Sequence, residues 1–312
     1  MTTKTRTVLI YGIIGICFTL LFVGGPDYYS SRSFKQFWNL GHIFFFALLT
    51  FTLMQRWNLL KNMDLWKQLL WILPVTFLMG GVIEWAQVDF QRTSEFEDVW
   101  RNMEGAMLAI FFFSPGRKAV APNMLKALKI GVIALIIMEI YSPLSAVFDE
   151  TMAREQFPVL SDFESRPQAE RWQSENAMSI TSEEVHSGKY SLKVQLSTKK
   201  YSGVFLEYFP RNWEGYRILN FSVANPRPDT LMLVCRIHDA QHVRGDQRYS
   251  DRFNRRLTVC PGWNQYSISL YDIEHAPRER EMDLKNIINF GLFAVELPNP
   301  RIIYIDDVYL TK

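Results

Sequence analysis

The chain has 312 residues, of which 48% are hydrophobic, and a formal net charge of +2. This length provides for two domains of ordinary size, and so small a charge excludes the strongly basic surface typical of nucleic-acid-binding proteins. Apolar residues are concentrated in the first half, whereas charged and turn-forming residues dominate the second. The composition therefore predicts a membrane part followed by a globular part.

Five apolar runs in the first half are predicted to be transmembrane helices, because about 20 apolar residues span the bilayer core. The first run has no small-residue cleavage site at its end and further runs follow it, so we interpret it as an uncleaved helix rather than a signal peptide. The fourth run is the weakest, since it contains Arg101 and Glu104. The runs cover residues 8–25, 37–54, 69–87, 99–113 and 130–148.

Lysine and arginine residues in the connecting segments predict the orientation. They are frequent before the first run, between the second and third, and between the fourth and fifth, and they are sparse elsewhere. Cytoplasmic loops carry such an excess. The N-terminus is therefore predicted to be cytoplasmic, and five spans place the second half outside the cytoplasm.

Short β-type segments separated by turn signals dominate the second half. Their number and spacing predict an all-β jelly-roll sandwich. The predicted fold class is a membrane α-helical bundle of about five transmembrane helices plus this sandwich, with domains at 1–148 and 158–312 and a linker at 149–157. The segments with period-two alternation or strand-like composition are 191–196, 231–237, 257–259, 266–270, 288–295 and 302–310.

Two cysteines of the second half, Cys235 and Cys260, lie in strand-like segments. A disulfide between them is feasible in an oxidising compartment. The pairing stays open, because sequence does not show whether the two Cβ atoms face each other.

Polar residues cluster within the apolar runs, where a charged side chain costs about 2.5–3.5 kcal/mol. Some share one helix face by their spacing of three or four residues, and a loop of about eleven residues between the third and fourth runs predicts that these are antiparallel neighbours. These groups are therefore expected to lie close together. The predicted cluster comprises His42, Glu84, Gln87, Arg92, Asp98 and Asn102.

The order Glu84-x-x-Gln87, then Arg92, then Asp98-x-x-x-Asn102-x-x-Gly105 resembles the signature of the VanZ-like membrane family, and His42 with the phenylalanines after it resembles that family's earlier His-Phe. The resemblance covers about residues 8–148. It implies a bacterial cell envelope and the inner (plasma) membrane, with the C-terminal domain periplasmic or extracellular. The family has no generally agreed reaction, so no chemistry follows from the resemblance.

Three interpretations of the cluster stay open. It is a hydrogen-bonded network that fixes helix packing, a binding site for an anionic envelope lipid or glycan-linked headgroup, or a catalytic or metal site. In the second, Arg92 pairs with a phosphate in bidentate fashion. In the third, His42, Glu84 and Asp98 ligate a divalent ion or act as acid and base.

The second half resembles the galactose-binding-like, or carbohydrate-binding-module, jelly rolls over about residues 158–312. The resemblance is carried by short motifs in a fixed order, at 160–164, 187–192, 213–222, 261–270 and 305–308. It implies a saccharide ligand and a structural Ca²⁺ held by Glu164 and Asp306, with backbone carbonyls near Lys189. The alternative is that both carboxylates merely face turns.

Saccharide recognition uses aromatic faces that stack on sugar rings and planar polar groups that bind hydroxyls. Alternatively, Trp213 and Trp263 belong to the core, and the Arg and Asp residues pair at the surface, where a pair contributes about 0–1 kcal/mol. The candidate residues are Trp213, Tyr216, Tyr249, Arg236, His238, Asp239, Asp251, Arg252 and Asn254.

The sequence favours an envelope membrane protein that recognises or processes an envelope glycan or lipid-linked saccharide, with membrane lipid as the other partner. One alternative is a membrane enzyme or transporter acting on an anionic envelope lipid at the polar cluster. Another is a membrane-anchored scaffold or adhesion module. Enzymatic activity stays open, although the absence of a nucleophile motif such as Gly-x-Ser-x-Gly counts against it.

Overall fold

The computed structural model describes residues 3–27, 29–89 and 96–312, with the side chains of residues 3, 4, 6 and 87–89 left out. The chain forms two compact units, Met1–Leu144 and Ser145–Lys312. The first unit is helical and the second is built mainly of strands. Residues 149–156, predicted to lie in the linker, are the last turns of the final long helix.

Six helices make up the helical half within the described residues. Ser31 caps the N-terminus of the second helix, α2 (Arg32–Arg56), because its Oγ accepts a hydrogen bond from Phe34 N–H at 3.2 Å. The helices are α1 (Thr3–Phe22), α2 (Arg32–Arg56), α3 (Asn58–Lys61), α4 (Leu65–Asp89), α5 (Phe96–Phe113) and α6 (Pro122–Gln156).

Three of these helices are long and apolar enough to cross a membrane, namely α2, α4 over Leu65–Ala86, and α6. A shorter apolar helix covers Thr7–Phe22 within α1. Helix α5 is not among the three, and its sequence contains Glu97, Asp98, Arg101 and Glu104. Membrane crossing by α1 and α5 thus stays a prediction.

Helices α2 and α5 pack closely because α5 carries a glycine at their contact. A Cβ on Gly105 would lie 2.3 Å from the carbonyl oxygen of Ile43, closer than any side chain tolerates. This close approach places His42 of α2 beside Asn102 of α5, at 2.9 Å. The glycine therefore determines where the polar residues of the two helices meet.

The second unit is an antiparallel sandwich of two sheets, as predicted. One sheet has the order β3-β4-β11-β6-β9 with β1 paired to β11, and the other has the order β2-β5-β10-β7-β8. The strands are β1 (Val159–Ser161), β2 (Trp172–Gln173), β3 (Met178–Thr181), β4 (Ser191–Leu196), β5 (Tyr201–Leu206), β6 (Ile218–Asn225), β7 (Leu231–Asp239), β8 (Phe253–Val259), β9 (Gly262–Ser269), β10 (Ile287–Val295) and β11 (Arg301–Thr311).

The inward faces of the two sheets form one hydrophobic core. Alternate residues of each strand point into it, as in β7, where Leu233, Cys235 and Ile237 are buried. Each large apolar side chain buried there contributes about 1.5–3 kcal/mol. The opposite faces of the same strands are left for other contacts.

The strand register keeps the two cysteines of the sandwich apart. Cys235 lies opposite Arg255 of β8, and Cys260 is five residues further along the chain. At about 3.3 Å per residue this is roughly 16 Å, well beyond the reach of a disulfide. Both cysteines are free, and the disulfide considered from the sequence does not form.

Two short helices complete the sandwich, α7 (Ala240–Arg244) and α8 (Leu270–Glu274). Helix α7 follows β7 directly, and the Asp239 side chain caps it by accepting a hydrogen bond from His242 N–H at 3.0 Å. The residue that ends β7 thus also begins α7.

Candidate functional site

The outward face of the five-stranded sheet holds a cleft of about 610 Å³. Strand register places Phe205, Gly291, Arg236 and Asn254 side by side across β5, β10, β7 and β8. Successive outward positions lie two residues apart, so Phe293 of β10 belongs to the neighbouring row. The residues that line the cleft are Tyr201, Phe205, Met232, Leu233, Val234, Arg236, Tyr249, Arg252, Asn254, Arg255, Arg256, Phe293 and Val295.

Aromatic rings provide much of the apolar lining of this cleft. The Phe293 ring centroid lies 6.2 Å from that of Phe205 and 6.0 Å from that of Tyr201. Phe293 is buried, whereas the side chains of Tyr201 and Tyr249 are 62% and 70% exposed. Tyr249, in the turn before β8, is thus available to a ligand on the side opposite Tyr201 of β5.

Arginine side chains lie over these rings. The guanidinium carbon of Arg236 lies 4.8 Å from the Phe205 ring centroid and 5.8 Å from that of Phe293. That of Arg252 lies 5.5 Å from the centroid of Tyr249. Such cation–π contacts contribute about 0.5–2 kcal/mol and hold the guanidinium planes in place. Burial lowers the pKa of Arg252, whose Nε has no hydrogen-bond partner among the described residues.

A polar row continues the sheet surface beyond the cleft. Asn289 lies opposite His238, and its Nδ2 donates to Glu207 Oε1 at 3.3 Å. Burial, and after it the positive charge of Arg236, lowers the pKa of His238 to about 3. This histidine is therefore neutral at physiological pH, and it does not belong to the cleft lining.

A separate ion-pair network supports the loop that carries Tyr249. Arg280 donates to both carboxylate oxygens of Asp239, at 2.6 and 2.8 Å, and to Asp251 Oδ1 at 2.6 Å. The hydrogen bond to Asp239 is the main cause of the raised pKa of Arg280, and that from Arg280 is the main cause of the lowered pKa of Asp251. The Nδ1 atom of His242 also lies 3.2 Å from Asp251 Oδ2. Asp239 and Asp251 are thus engaged with the protein itself.

The structure divides the predicted saccharide-binding residues into three groups. Arg236, Arg252 and Asn254, with Tyr249, line the cleft. His238, Asp239 and Asp251 lie outside the lining, in the row and network described above. Trp213 and Tyr216 lie away from the cleft, at the core of the sandwich.

Trp213 is fully buried in the sandwich core, and its Nε1–H donates to the Pro210 carbonyl at 3.2 Å. It therefore has no face open to a sugar, and its prediction as a binding residue is wrong. Tyr216 packs against the same core, with its ring centroid 5.2 Å from that of Phe157. It is partly buried and does not line the cleft, so its role in saccharide binding stays a prediction.

Tyr201, Phe205 and Phe293 line the cleft but are not among the residues predicted from the sequence. Strand β5 was not among the predicted strands, because Ser202 and Gly203 interrupt its apolar pattern. The aromatic-x-x-x-aromatic spacing of Tyr201 and Phe205 places both rings on one strand face. This spacing is the signal that could have identified them.

The carboxylates of the predicted calcium site accept backbone N–H groups. Glu164 Oε1 accepts from Lys189 and Tyr190, at 2.7 and 3.1 Å. Asp306 is fully buried and accepts from three backbone N–H groups, at 2.9–3.2 Å. Donor groups around the carboxylates do not fit a cation, which needs oxygen ligands facing one point. Burial raises the pKa of Asp306 to about 6, against the effect of these hydrogen bonds.

The helical unit brings four of the predicted polar residues together. His42 Nδ1–H donates to Asn102 Oδ1 at 2.9 Å, and His42 Nε2 lies 3.4 Å from Asp98 Oδ2. One ligand atom each from His42, Glu84 and Asp98 lies within 4.8 Å of the others, and all three side chains are buried. The predicted Gln87 side chain and Arg92 lie outside the described residues.

Two further charged residues extend this cluster and were not predicted as members. Arg101 donates from Nη1 to Asp98 Oδ1 at 2.5 Å and from Nε to Glu139 Oε2 at 2.7 Å. Glu139 lies in the middle of the apolar α6. A lone carboxylate in such a helix requires a partner, and this was the signal for including it.

No family model matches the chain, and no curated protein matches it in sequence. Among solved structures, a family 11 carbohydrate-binding module from Clostridium thermocellum, in complex with a β-1,3-1,4-mixed-linked tetrasaccharide, is similar to the β-sandwich at 16% identity and a TM-score of 0.39, covering 49% of this chain and 94% of that chain. An exo-β-agarase is similar at 15% identity and a TM-score of 0.40, covering 49% of this chain and 24% of its own. A C-terminal family 22 carbohydrate-binding module from Clostridium thermocellum is similar at 12% identity and a TM-score of 0.34, covering 49% of this chain and 91% of that chain.

Proposed function

We propose that the chain is a membrane-anchored saccharide-binding protein of the cell envelope, whose sandwich unit binds a glycan in the cleft on the five-stranded sheet. The observation that supports this best is the pairing of exposed aromatic rings with planar polar side chains in one open cleft. Aromatic faces stack on the C–H-rich faces of sugar rings. Guanidinium and amide groups beside them bind ring hydroxyls with defined geometry.

Unsatisfied polar atoms also support a ligand rather than a purely structural role for this surface. Arg252 Nε and Asn254 Oδ1 are buried without a hydrogen-bond partner among the described residues. Leaving such a group unpaired costs about 1–3 kcal/mol. A saccharide in the cleft offers both donors and acceptors, and small rotations of the two side chains would bring these atoms to it.

The membrane and envelope parts of the proposal are supported by the helical unit. Three helices have the length and apolarity of spans, and the alternating loop charges predict that the sandwich lies outside the cytoplasm. The resemblance of the polar motif to VanZ-like proteins also favours an envelope setting. The ligand is then an envelope glycan or a lipid-linked saccharide, and membrane lipid is the second partner.

Tyrosine variants test saccharide binding. The full-length chain in detergent is applied to a glycan array, and affinities for retained glycans are measured for Tyr249→Ala and Tyr201→Ala. We expect each to weaken binding about tenfold, as for the loss of one aromatic anchor. Tyr271→Ala is the matched control, because that ring is 66% exposed and stacks on His275 away from the cleft. Unchanged binding in both cleft variants would refute the proposal.

The polar cluster supports a second candidate function, the binding of a cation within the helical unit. Because an oxygen only accepts, Asn102 Oδ1 fixes the proton of His42 on Nδ1. The Nε2 atom then presents a lone pair to the Asp98 carboxylate at 3.4 Å. That arrangement is repulsive unless a proton or a divalent metal lies between them, as a membrane enzyme or transporter would use.

Metal analysis distinguishes a bound divalent metal from a proton between His42 and Asp98. Purified full-length protein is incubated with Zn²⁺ or Mn²⁺ and desalted, and retained metal is measured. About one equivalent of retained metal per protein, reduced in His42→Ala and Glu84→Gln, would support a metal site. Glu104→Gln is the control, because it neutralises a buried carboxylate of α5 that is not one of the three candidate ligands. No retained metal would leave protonated His42 as the cation and the cluster as a network that fixes helix packing.

A further inference from the structure

The charge of the cleft is one-sided. Four arginines contribute to its lining, and none of its thirteen lining residues is aspartate or glutamate. Arg255 is paired with Asp272 at 2.9 Å. Arg252 and Arg256 have no carboxylate within ion-pair distance among the described residues. Two of the four arginines thus carry positive charge that no carboxylate of the described residues neutralises.

Acidic groups are present around the cleft, but they are engaged elsewhere. Glu207, which directly follows β5, accepts a hydrogen bond from Asn289. Asp239 and Asp251 receive the guanidinium of Arg280. The carboxylates named here thus have partners of their own, and the guanidinium group of Arg252 over the Tyr249 ring keeps its charge for a ligand.

All charged side chains of the lining are arginines. Arginine offers only donors. Neutral sugars present hydroxyls that both donate and accept, so a cleft built for them gains from carboxylate acceptors, which this lining lacks. Carboxylate and sulfate groups only accept, and guanidinium groups pair with them in bidentate fashion at about twice the strength of a neutral hydrogen bond.

From this complementarity we propose that the ligand of the cleft is an anionic saccharide chain, one that carries uronate carboxylates or sulfate esters. The inference rests on the proposed saccharide-binding function and specifies its ligand class. The rings of Phe205, Phe293, Tyr201 and Tyr249 contact the sugar rings. The guanidinium groups of Arg252 and Arg256 bind the acidic substituents.

Matched pairs of polysaccharides test the proposal with the full-length chain in detergent. Polygalacturonate is compared with its methyl ester, and a sulfated galactan with unsulfated agarose, by affinity electrophoresis. We expect retardation by the charged member of at least one pair and much weaker retardation by its neutral partner, with the difference shrinking as salt is raised. Which pair responds distinguishes carboxylate from sulfate.

Arginine variants tie the effect to the cleft. Arg256 is exposed, and glutamine keeps a polar side chain there, so Arg256→Gln is expected to fold as wild type. Arg252→Gln removes the positive charge beside Tyr249. We expect each to weaken binding of the charged chain about tenfold. Arg248→Gln, an exposed arginine that pairs with Asp246 outside the cleft, is expected to bind as wild type.

The outcomes separate this inference from the function on which it rests. Equal binding of charged and neutral chains, weakened by Tyr249→Ala but not by Arg256→Gln, would overturn the anionic ligand and leave saccharide binding intact. Charged-chain binding that Arg248→Gln reduces as much as Arg256→Gln would also overturn it, since the attraction would then come from net charge alone. Binding of no chain at all would refute both.

Discussion

The ring of Phe205 occupies the space that a side chain on Gly291 would fill. The two residues are direct partners on β5 and β10, and a Cβ on Gly291 would lie 2.3 Å from Phe205 Cδ1. Two residues along the sheet, Phe293 lies opposite Gly203, where an added Cβ would meet the Cβ of Phe293. Each of these two phenylalanines thus lies opposite a glycine of the neighbouring strand.

Gly291→Ala is expected to displace the Phe205 ring and to weaken saccharide binding. Forcing a methyl group into a packed position costs about 1–3 kcal/mol of folding free energy, and the displaced ring also loses its contact with Arg236. Affinity electrophoresis and chemical unfolding of the full-length chain measure the two effects. Gly245→Ala is the control, because its Cβ would meet nothing nearer than 3.4 Å. Equal behaviour of the two variants would contradict the packing role of Gly291.

Arg171→Met is expected to destabilise the sandwich unit by about 3–5 kcal/mol, because it leaves a buried carboxylate without its partner. Arg171 is fully buried, donates to both carboxylate oxygens of Asp149 at 2.8–3.0 Å, and donates to the Leu160 carbonyl at 2.7 Å. The double variant Arg171→Met with Asp149→Leu should recover much of the loss. A double variant as unstable as the single one would show that the ion pair is not the cause.

Gly105→Ala is expected to lower the thermal stability of the helical unit, because its Cβ would overlap the carbonyl oxygen of Ile43 on α2. Gly131→Ala in α6 meets nothing within 4 Å. Alanine favours the helix by about 0.5–1 kcal/mol over glycine, so that control should be neutral or stabilising. Melting in detergent, followed by circular dichroism, compares them. A Gly105→Ala protein as stable as Gly131→Ala would disprove the close contact.

The stability of the sandwich is expected to fall as pH rises from about 4 to about 6, because of Asp306. Its pKa is raised to about 6 in the folded state, whereas an unfolded aspartate titrates near 3.9. The folded state then holds the extra proton, so the contribution is present below about pH 4 and is lost above about pH 6. The full effect is about 3 kcal/mol. Unfolding curves at several pH values measure it.

Asp306→Asn should remove this pH dependence, whatever its effect on absolute stability. Asp246→Asn, at an exposed ion pair with Arg248, is the control and should keep it. A wild-type profile that is flat between pH 4 and 6 would contradict the raised pKa.

Chelation tests the calcium site predicted at Glu164 and Asp306. Because both carboxylates already accept backbone N–H groups, we expect the melting temperature of the full-length chain to be the same with a calcium chelator and with added Ca²⁺. A melting temperature that rises with Ca²⁺ and falls with chelator would instead restore the predicted ion.

The sequence predicted the sandwich well because its strands alternate. Residues 191–196 and 231–237 have period-two patterns that a half-buried strand requires, and both are strands within a residue or two. Strand β5 was not predicted, because Ser202 and Gly203 break this alternation. Gly203 leaves room for Phe293 of the neighbouring strand, so a residue that helps to form the cleft also weakened the strand pattern.

The polar cluster was predictable from helical spacing, and the cleft was only half predictable. Asp98 and Asn102 share a helix face by their spacing, and the motif order placed His42 and Glu84 beside them. Arg236 and Asn254 are predicted as polar groups that bind hydroxyls, and both line the cleft. Trp213 is predicted as an aromatic face for a sugar, and the stated alternative, a place in the core, is the correct one. Burial depends on which sheet face meets the core, which composition alone does not show for a single tryptophan.

Strand β8 ends the five-stranded sheet and carries Arg255 and Arg256, both exposed. An unpaired strand edge is a template on which a second molecule can add a strand, and positive charge along it repels an identical copy. The arginines that are proposed to attract an acidic glycan therefore also disfavour edge-to-edge contact between neighbouring copies of the chain. Neutralising them would carry a second cost besides lost affinity, a tendency of the sandwich units to associate edge to edge.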